Sequence, residues 1–136
     1  LQVQKIAAAA VTDADAAIEK VAIHDAIGAI WTLVDELNNY ITVQEPWVLA
    51  KNDETRDRLA TVLNTTVEGL RVLAVLLNPI TPKATAKLWA AIGVSLGAID
   101  DQHIGDAGKW GQFTAGAAIG ELEALFPRIE TTEEAK

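Results

Sequence analysis

Ile23-His24-Asp25-Ala26-Ile27-Gly28-Ala29-Ile30-Trp31-Thr32-Leu33-Val34-Asp35-Glu36-Leu37-Asn38-Asn39-Tyr40-Ile41-Thr42-Val43-Gln44 carries the pattern on which the fold turns. Ile23, Ile27, Ile30, Val34, Leu37 and Ile41 recur every three or four residues, which is one stripe of a helix and not the alternation of a strand. With the residues just before it, the pattern makes a helix of about 27 residues, about 40 Å long at the helical rise. Upstream, residues 1–10 are alanine-rich and read as helix, and Val11-Thr12-Asp13-Ala14-Asp15 reads as a pause with Thr12 or Asp13 as N-cap. Downstream, Pro46 stops the helix, because a proline disfavours helical geometry in the residue before it.

A second long helix starts near Asp53. Leu59, Leu63, Thr66, Leu70, Leu73 and Leu77 form a near-heptad seam closed by Asn78-Pro79. Thr81 can cap a shorter helix with Pro82 at its first position, where the missing amide hydrogen costs nothing. That helix carries Leu88, Trp89 and Ile92 and ends at Gly93. Residues 93–120 hold seven of the nine glycines and read as irregular, with at most a short helix near 96–101. The acidic tail Glu130-Thr131-Thr132-Glu133-Glu134 is expected to fray. The expectation is an all-α helical bundle, core about 1–93, with a loop-rich C-terminal wrap over 94–136.

Composition narrows the function classes. The 136 residues are half hydrophobic and 22% charged, which suits one folded domain and excludes disorder. No run of about 18 uncharged apolar residues occurs, so no membrane partner is expected. The lack of cysteine excludes disulfides, thiolate metal sites and cysteine nucleophiles. Methionine is absent too, and without a start residue the simplest expectation is a piece of a longer chain. The net charge of −8 argues against DNA or non-specific nucleic-acid binding. It is unevenly spread, however: −5 over residues 1–50, +2 over 51–90 and −5 over 91–136.

Catalytic and metal chemistry is thin. His24 sits beside Asp25 in the long helix, where sequence neighbours do not face one another, and reads as a polar or half-buried structural residue. His103 lies in the glycine-rich region, and two histidines without cysteine make a poor metal site. Ser95, the single serine, has no elbow motif around it, and no strand precedes a phosphate loop. The carboxylates are expected on solvent faces. No enzyme activity, cofactor or metal is expected of these residues by themselves.

The unusual local feature is residues 38–51, where a long amphipathic helix ends in Glu45-Pro46-Trp47, followed by an apolar step and Lys51. A tryptophan just past a helix end can fill the mouth of a bundle, or it can offer a flat face to a nucleobase, a stack worth about 1–3 kcal/mol. Asn38 shares a face with Trp31 and Val34, and its amide can satisfy backbone groups or read a base edge.

Seven blocks follow one another in order: Ala-Ile-Trp (29–31), Leu-Val (33–34), Leu-Asn-Asn-Tyr-Ile (37–41), Gln-Glu-Pro-Trp-Val-Leu-Ala-Lys (44–51), Leu-Arg-Val-Leu-Ala-Val-Leu-Leu-Asn-Pro-Ile-Thr-Pro (70–82), Leu-Trp (88–89) and Leu-Phe-Pro-Arg-Ile (125–129). This ordered set resembles the C-terminal anticodon-binding domain of methionyl-tRNA synthetase, a class I aminoacyl-tRNA synthetase, from about residue 18 to 130. The resemblance implies a single helical domain over 1–136 that recognises the CAU anticodon of methionine tRNA. The catalytic domain of the same parent chain, outside these residues, would attach methionine to tRNA using ATP in the cytoplasm. It also implies that Trp47 stacks on an anticodon base, that Asn38 lies on the same surface, and that Tyr40 supports it. Lys51, Arg56 and Arg58 are candidate phosphate partners.

Three departures accompany the resemblance. The family's asparagine and arginine one turn apart on a preceding helix have no counterpart in residues 1–10, so part of the reading surface is expected to be missing. The HIGH and KMSKS signatures of the catalytic domain are absent, and His103-Ile104-Gly105 imitates the first only by coincidence. Ile80 stands where a methionine is common, a conservative packing change. Two rivals remain open: a free-standing helical module that docks a partner helix along the 59–77 seam, and a domain that only props the catalytic domain of a synthetase.

Overall fold

The computed structural model describes residues 2–92, 97–113 and 125–126. Among them, helices α1 (Gln2–Glu19), α2 (Ile23–Gln44), α3 (Pro46–Leu49), α4 (Arg56–Leu77), α5 (Pro82–Ala91) and α6 (Ile104–Ala107) follow in order, with short 3-10 turns at Asp53–Thr55 and Ile99–Asp101. No strand occurs among the described residues. The architecture is the expected all-α bundle. α1 and α2 form an antiparallel hairpin laid against α4, α5 packs on α4, and α6 packs on both α1 and α4.

The first break falls elsewhere than the capping residues suggest. α1 runs straight through residues 11–15, because Val3, Ala7, Ala10, Val11, Ala14 and Ala17 make one unbroken buried face of small residues. Thr12 does not cap; its hydroxyl donates back to the Ala8 carbonyl at 3.1 Å, as an exposed mid-helix threonine does. The chain turns instead at Lys20-Val21-Ala22. There the Ala22 amide donates to the Ala17 carbonyl at 2.8 Å and the Val21 amide to the Ile18 carbonyl at 2.9 Å. This is the paired-bond helix end that normally places a glycine in the left-handed position. Here the position is filled by Val21 at φ 58°, a β-branched residue with 80% of its surface exposed.

The face of α2 is also shifted. Ala26, Ile30, Leu33 and Leu37 are buried, while Ile23, Ile27 and Trp31 stand out in solvent as a second apolar line. The apolar arc of α2 is wide enough for either phase, and the small Ala26 takes the position closest to the neighbouring helices. At Gly69 of α4 a Cβ would lie 2.5 Å from Leu37 Cδ2, so this glycine is what lets α2 approach α4 so closely.

α4 is the axis of the bundle. From Thr65 onward it is buried almost all round, through Gly69, Val72, Leu73, Ala74, Val75 and Leu76. The seam drawn from the leucines does not describe it: Leu73 is fully buried, Leu59, Leu70 and Leu77 are half-buried, and Leu63 is 49% exposed. The stretch Asp53–Leu77 is long and apolar enough to cross a membrane, but 61% of its apolar window is buried inside the bundle. α5 begins with Pro82 as expected, although the Thr81 hydroxyl bonds back to the Leu77 carbonyl at 3.3 Å and does not cap. Trp89 is buried and donates its ring N–H to the Gly97 carbonyl at 3.0 Å. Gly93, Ser95 and the acidic tail lie outside the described residues.

The carboxylates do not all face solvent. Glu68 and Arg71, one turn apart on α4, are each 1% exposed and joined at 2.8 Å. Arg71 Nη2 also donates to the Ala107 and Lys109 carbonyls, both at 2.9 Å. The Glu68 carboxylate accepts from the amides of Gly111 at 3.0 Å, Gln112 at 3.1 Å and Phe113 at 2.8 Å. Gly111 at φ 86° allows these successive amides to converge on one acid, a conformation that strongly favours glycine. This pair seats α6 and the loop after it on the core, so the expected C-terminal wrap has a defined anchor. α6 itself was not expected. On the outside of the same turn, Lys109 meets Asp106 at 2.7 Å, and this hydrogen bond and charge hold the Asp106 carboxyl below its usual value. The contribution of that exposed pair is present above the ordinary carboxylate pKa and fades as pH falls through the lowered one.

Two stability predictions follow from these features. Glu68→Gln and Arg71→Met should each destabilise the fold by about 3–5 kcal/mol in urea unfolding, because each leaves a buried charge unpaired. The double replacement by methionine should not recover the loss, since the five backbone groups of the loop lose their partners too; full recovery would show that the pair acts only as a pair. Val21→Gly should raise stability by about 1 kcal/mol, and the melting temperature by about 2–5 °C, by relieving the left-handed valine. An unchanged or lower melting temperature would count against strain at that corner.

Candidate nucleic-acid interface

The C-terminal half of α2, α3, the 3-10 turn and the start of α4 meet at one end of the bundle. α2 ends at Gln44, and Glu45 takes the left-handed conformation, φ 46° and ψ 60°, with its amide still donating to the Ile41 carbonyl at 3.0 Å. The residue before a proline is normally extended; the helix stops where Pro46 predicts, but by this different backbone route. The Glu45 carbonyl then accepts from Val48 at 2.8 Å and Leu49 at 3.2 Å, which winds α3 into one turn.

Trp47 stands on that turn with 53% of its surface exposed, against 6% for Trp89 in the core. A tryptophan that plugged the bundle would be buried as Trp89 is. Val43 and Val48, on either side of it in sequence, are exposed as well. Asn38 is exposed on α2, where its backbone carbonyl accepts from the Thr42 hydroxyl at 2.8 Å. Tyr40 lies roughly 200° around the helix from Asn38 at about 100° per residue. It is half-buried against the core and therefore underpins this end of α2 from within instead of sharing its outer face.

The three cations do not behave alike. Lys51 and Arg56 are exposed and form no ion pair among the described residues. Arg58 spends a guanidinium N–H on the Gln44 side-chain oxygen at 3.0 Å, tying the end of α2 to the start of α4. Glu45, Asp53, Glu54 and Asp57 are interleaved with them, all exposed, so this corner carries no net positive charge. Phosphate attraction can therefore supply only a small part of any nucleic-acid affinity. What the arrangement offers is a flat aromatic face, an amide and two free cations on a fixed scaffold.

Other positions carry less. His24 is exposed, not half-buried, and His103 is an exposed residue flanking α6. No group of three or more potential metal ligands occurs among the described residues. Leu125 and Phe126 line a shallow apolar hollow with Leu77, Thr81, Ala84, Thr85 and Leu88, whereas the Pro127-Arg128-Ile129 part of that block lies outside the described residues. Sequence reasoning missed the exposure of Trp31 (59%) and the role of Thr55, whose hydroxyl donates to the Leu49 carbonyl at 2.7 Å across the chain turn. A bond between residues six apart has no sequence signature.

Comparison with known proteins identifies the family. Residues 2–136 match the family model described as the anticodon binding domain of methionyl tRNA ligase. The methionine–tRNA ligase of Streptomyces coelicolor is 48% identical over 126 residues, which is 89% of this chain and 23% of that protein. That of Fusobacterium nucleatum is 37% identical over 109 residues, 80% of this chain and 17% of that protein. Among solved structures, the apo form of Mycobacterium tuberculosis methionyl-tRNA synthetase superposes with a TM-score of 0.82 at 27% identity, covering 96% of this chain and 26% of that one. The same enzyme with methionyl-adenylate gives 0.81 at 28% identity, covering 93% of this chain and 24% of that one. The chain thus spans 17–26% of the length of these relatives. With a family-model match across all but the first residue, the chain belongs to the family of anticodon-binding domains of methionyl-tRNA ligase.

Proposed function

We propose that the Trp47 end of the bundle binds the anticodon loop of methionine tRNA and reads CAU, as part of a methionine–tRNA ligase. Trp47 stacks on one splayed base, and Asn38 hydrogen-bonds to a base edge. Lys51 and Arg56 steady the adjacent phosphates, with Arg58 left to its bond with Gln44. The observation that carries this reading is the exposure of Trp47 on a turn held at both ends, since an indole kept in water at such a joint has a face free to stack. Family membership supplies the nucleic acid; the low charge of the corner then favours stacking and edge recognition over phosphate attraction.

In this reading the residues described here bind and orient RNA and perform no chemistry. Aminoacylation, with ATP as cofactor, belongs to a catalytic domain elsewhere in the parent chain, working in translation in the cytoplasm. The rival in which a partner helix docks along the 59–77 seam lacks a continuous exposed face, because Leu73 is buried, Leu59, Thr66, Leu70 and Leu77 are half-buried and only Leu63 stands out.

Trp47→Ala in the full-length parent enzyme should weaken binding of a CAU anticodon stem-loop by about five- to a hundred-fold, the value of one base–aromatic stack. Its melting temperature should stay near that of the parent, as expected for an exposed side chain. Binding to a stem-loop with a scrambled anticodon should change little. If Trp47→Ala unfolds the domain, or leaves the preference for CAU intact, the stacking role is wrong; if scrambling the anticodon never alters affinity, the domain is only a structural support.

A further inference from the structure

We infer that Thr55 is a positioning residue for Trp47, acting on RNA binding only through the turn that carries the indole; this rests on the anticodon-binding reading above. α3 is four residues long, too short to satisfy its own carbonyls, and a helix end leaves four of them without internal partners. The Leu49 carbonyl, at the end of that turn, receives the Asn52 amide only at 3.5 Å. The Thr55 hydroxyl supplies the strong bond, at 2.7 Å and partly buried, and lies 2.9 Å from the Asn52 carbonyl as well. Asn52 in turn holds Thr55 in place by capping the 3-10 turn, accepting from the Glu54 amide at 3.0 Å.

The other end of α3 is held by different means. Glu45 sits in the left-handed region immediately before Pro46, a conformation a glutamate adopts only where its surroundings impose it. The bond from Arg58 to Gln44 fixes the residue just before this joint. The turn is thus fastened to α2 at its start and to the foot of α4 at its end, and Trp47 lies between the two fastenings. Removing the Thr55 bond frees one end only. The helices stay packed, but the indole loses its fixed aim and must be ordered again when a base arrives.

The test is a double-mutant cycle in the full-length parent enzyme, with a CAU anticodon stem-loop as probe and fluorotryptophan incorporated for fluorine NMR. Thr55→Val should weaken binding about three- to ten-fold, the worth of one intramolecular hydrogen bond. Thr55→Ser, which keeps the hydroxyl, should restore it. In the Trp47→Ala background Thr55→Val should have no further effect, because the two residues act as one unit. The Trp47 resonance, identified by its loss in Trp47→Ala, should shift or broaden in Thr55→Val while those of Trp89 and Trp110 stay in place. Equal losses in both backgrounds, or an unmoved Trp47 resonance, would overturn the positioning role while leaving the anticodon reading intact. If Trp47→Ala alone leaves affinity unchanged, the anticodon reading fails first, and this role fails with it.

Discussion

The bond between Glu68 and Arg71 is the constraint around which the rest of the bundle is arranged. Two opposite charges at 1% exposure on the central helix are expensive to desolvate, and their mutual attraction alone does not repay it. What makes the pair tenable is the loop that closes over it. Two backbone carbonyls complete the guanidinium and three backbone amides complete the carboxylate. No buried polar side-chain atom among the described residues is left without a partner. Together with Ile99, Ile104, Ala107 and Trp110, which lie in or against the core, the pair decides where this glycine-rich segment comes to rest.

Around this axis, small residues set the spacing. The alanine face of α1 and the single glycine at position 69 of α4 let α1, α2 and α4 approach closely, which buries Ile30, Leu33 and Leu37 completely or nearly so. Each such side chain contributes about 1.5–3 kcal/mol through removal from water. The close approach also fixes the direction in which α2 leaves the core, and with it the place where α3 and Trp47 emerge. The stable centre and the exposed end are linked in this way. The core specifies the line of α2, and a strained joint with two side-chain bonds turns that line into a presentation of one indole.

The exposed end differs in character from the usual phosphate-binding surface. Its cations are matched by acids, and one of the three is already engaged within the protein. Affinity drawn from stacking and hydrogen bonds depends on geometry held in advance, since a loosely held indole pays its ordering entropy on binding. The several local bonds at residues 44–55 fit that demand. A second apolar line, Ile23, Ile27 and Trp31, runs along α2 away from this end and stands exposed.

Much was legible in the sequence because it depends on local rules. Helix type followed from the spacing of apolar residues, the stop at Gln44 and the start at Pro82 followed from proline, and the Gln44–Lys51 block marked the candidate site. The order of the motif blocks pointed to the family. What failed did so where tertiary contacts outweighed local signals. Thr12 and Asp13 look like a cap, yet packing of the alanine face carries α1 through them. Val21 occupies a glycine position, so no residue announced the true corner. The phase of α2 could not be chosen from an arc apolar on two sides. Glu68 read as a solvent-face carboxylate and nothing local marked Arg71 or Thr55, because their partners lie in segments brought together only by folding. The sequence by itself determined that the long segments are helical and which family they make. Tertiary structure alone decided which side chains are buried, how the wrap is anchored and what holds Trp47, because those depend on contacts between residues distant in the chain.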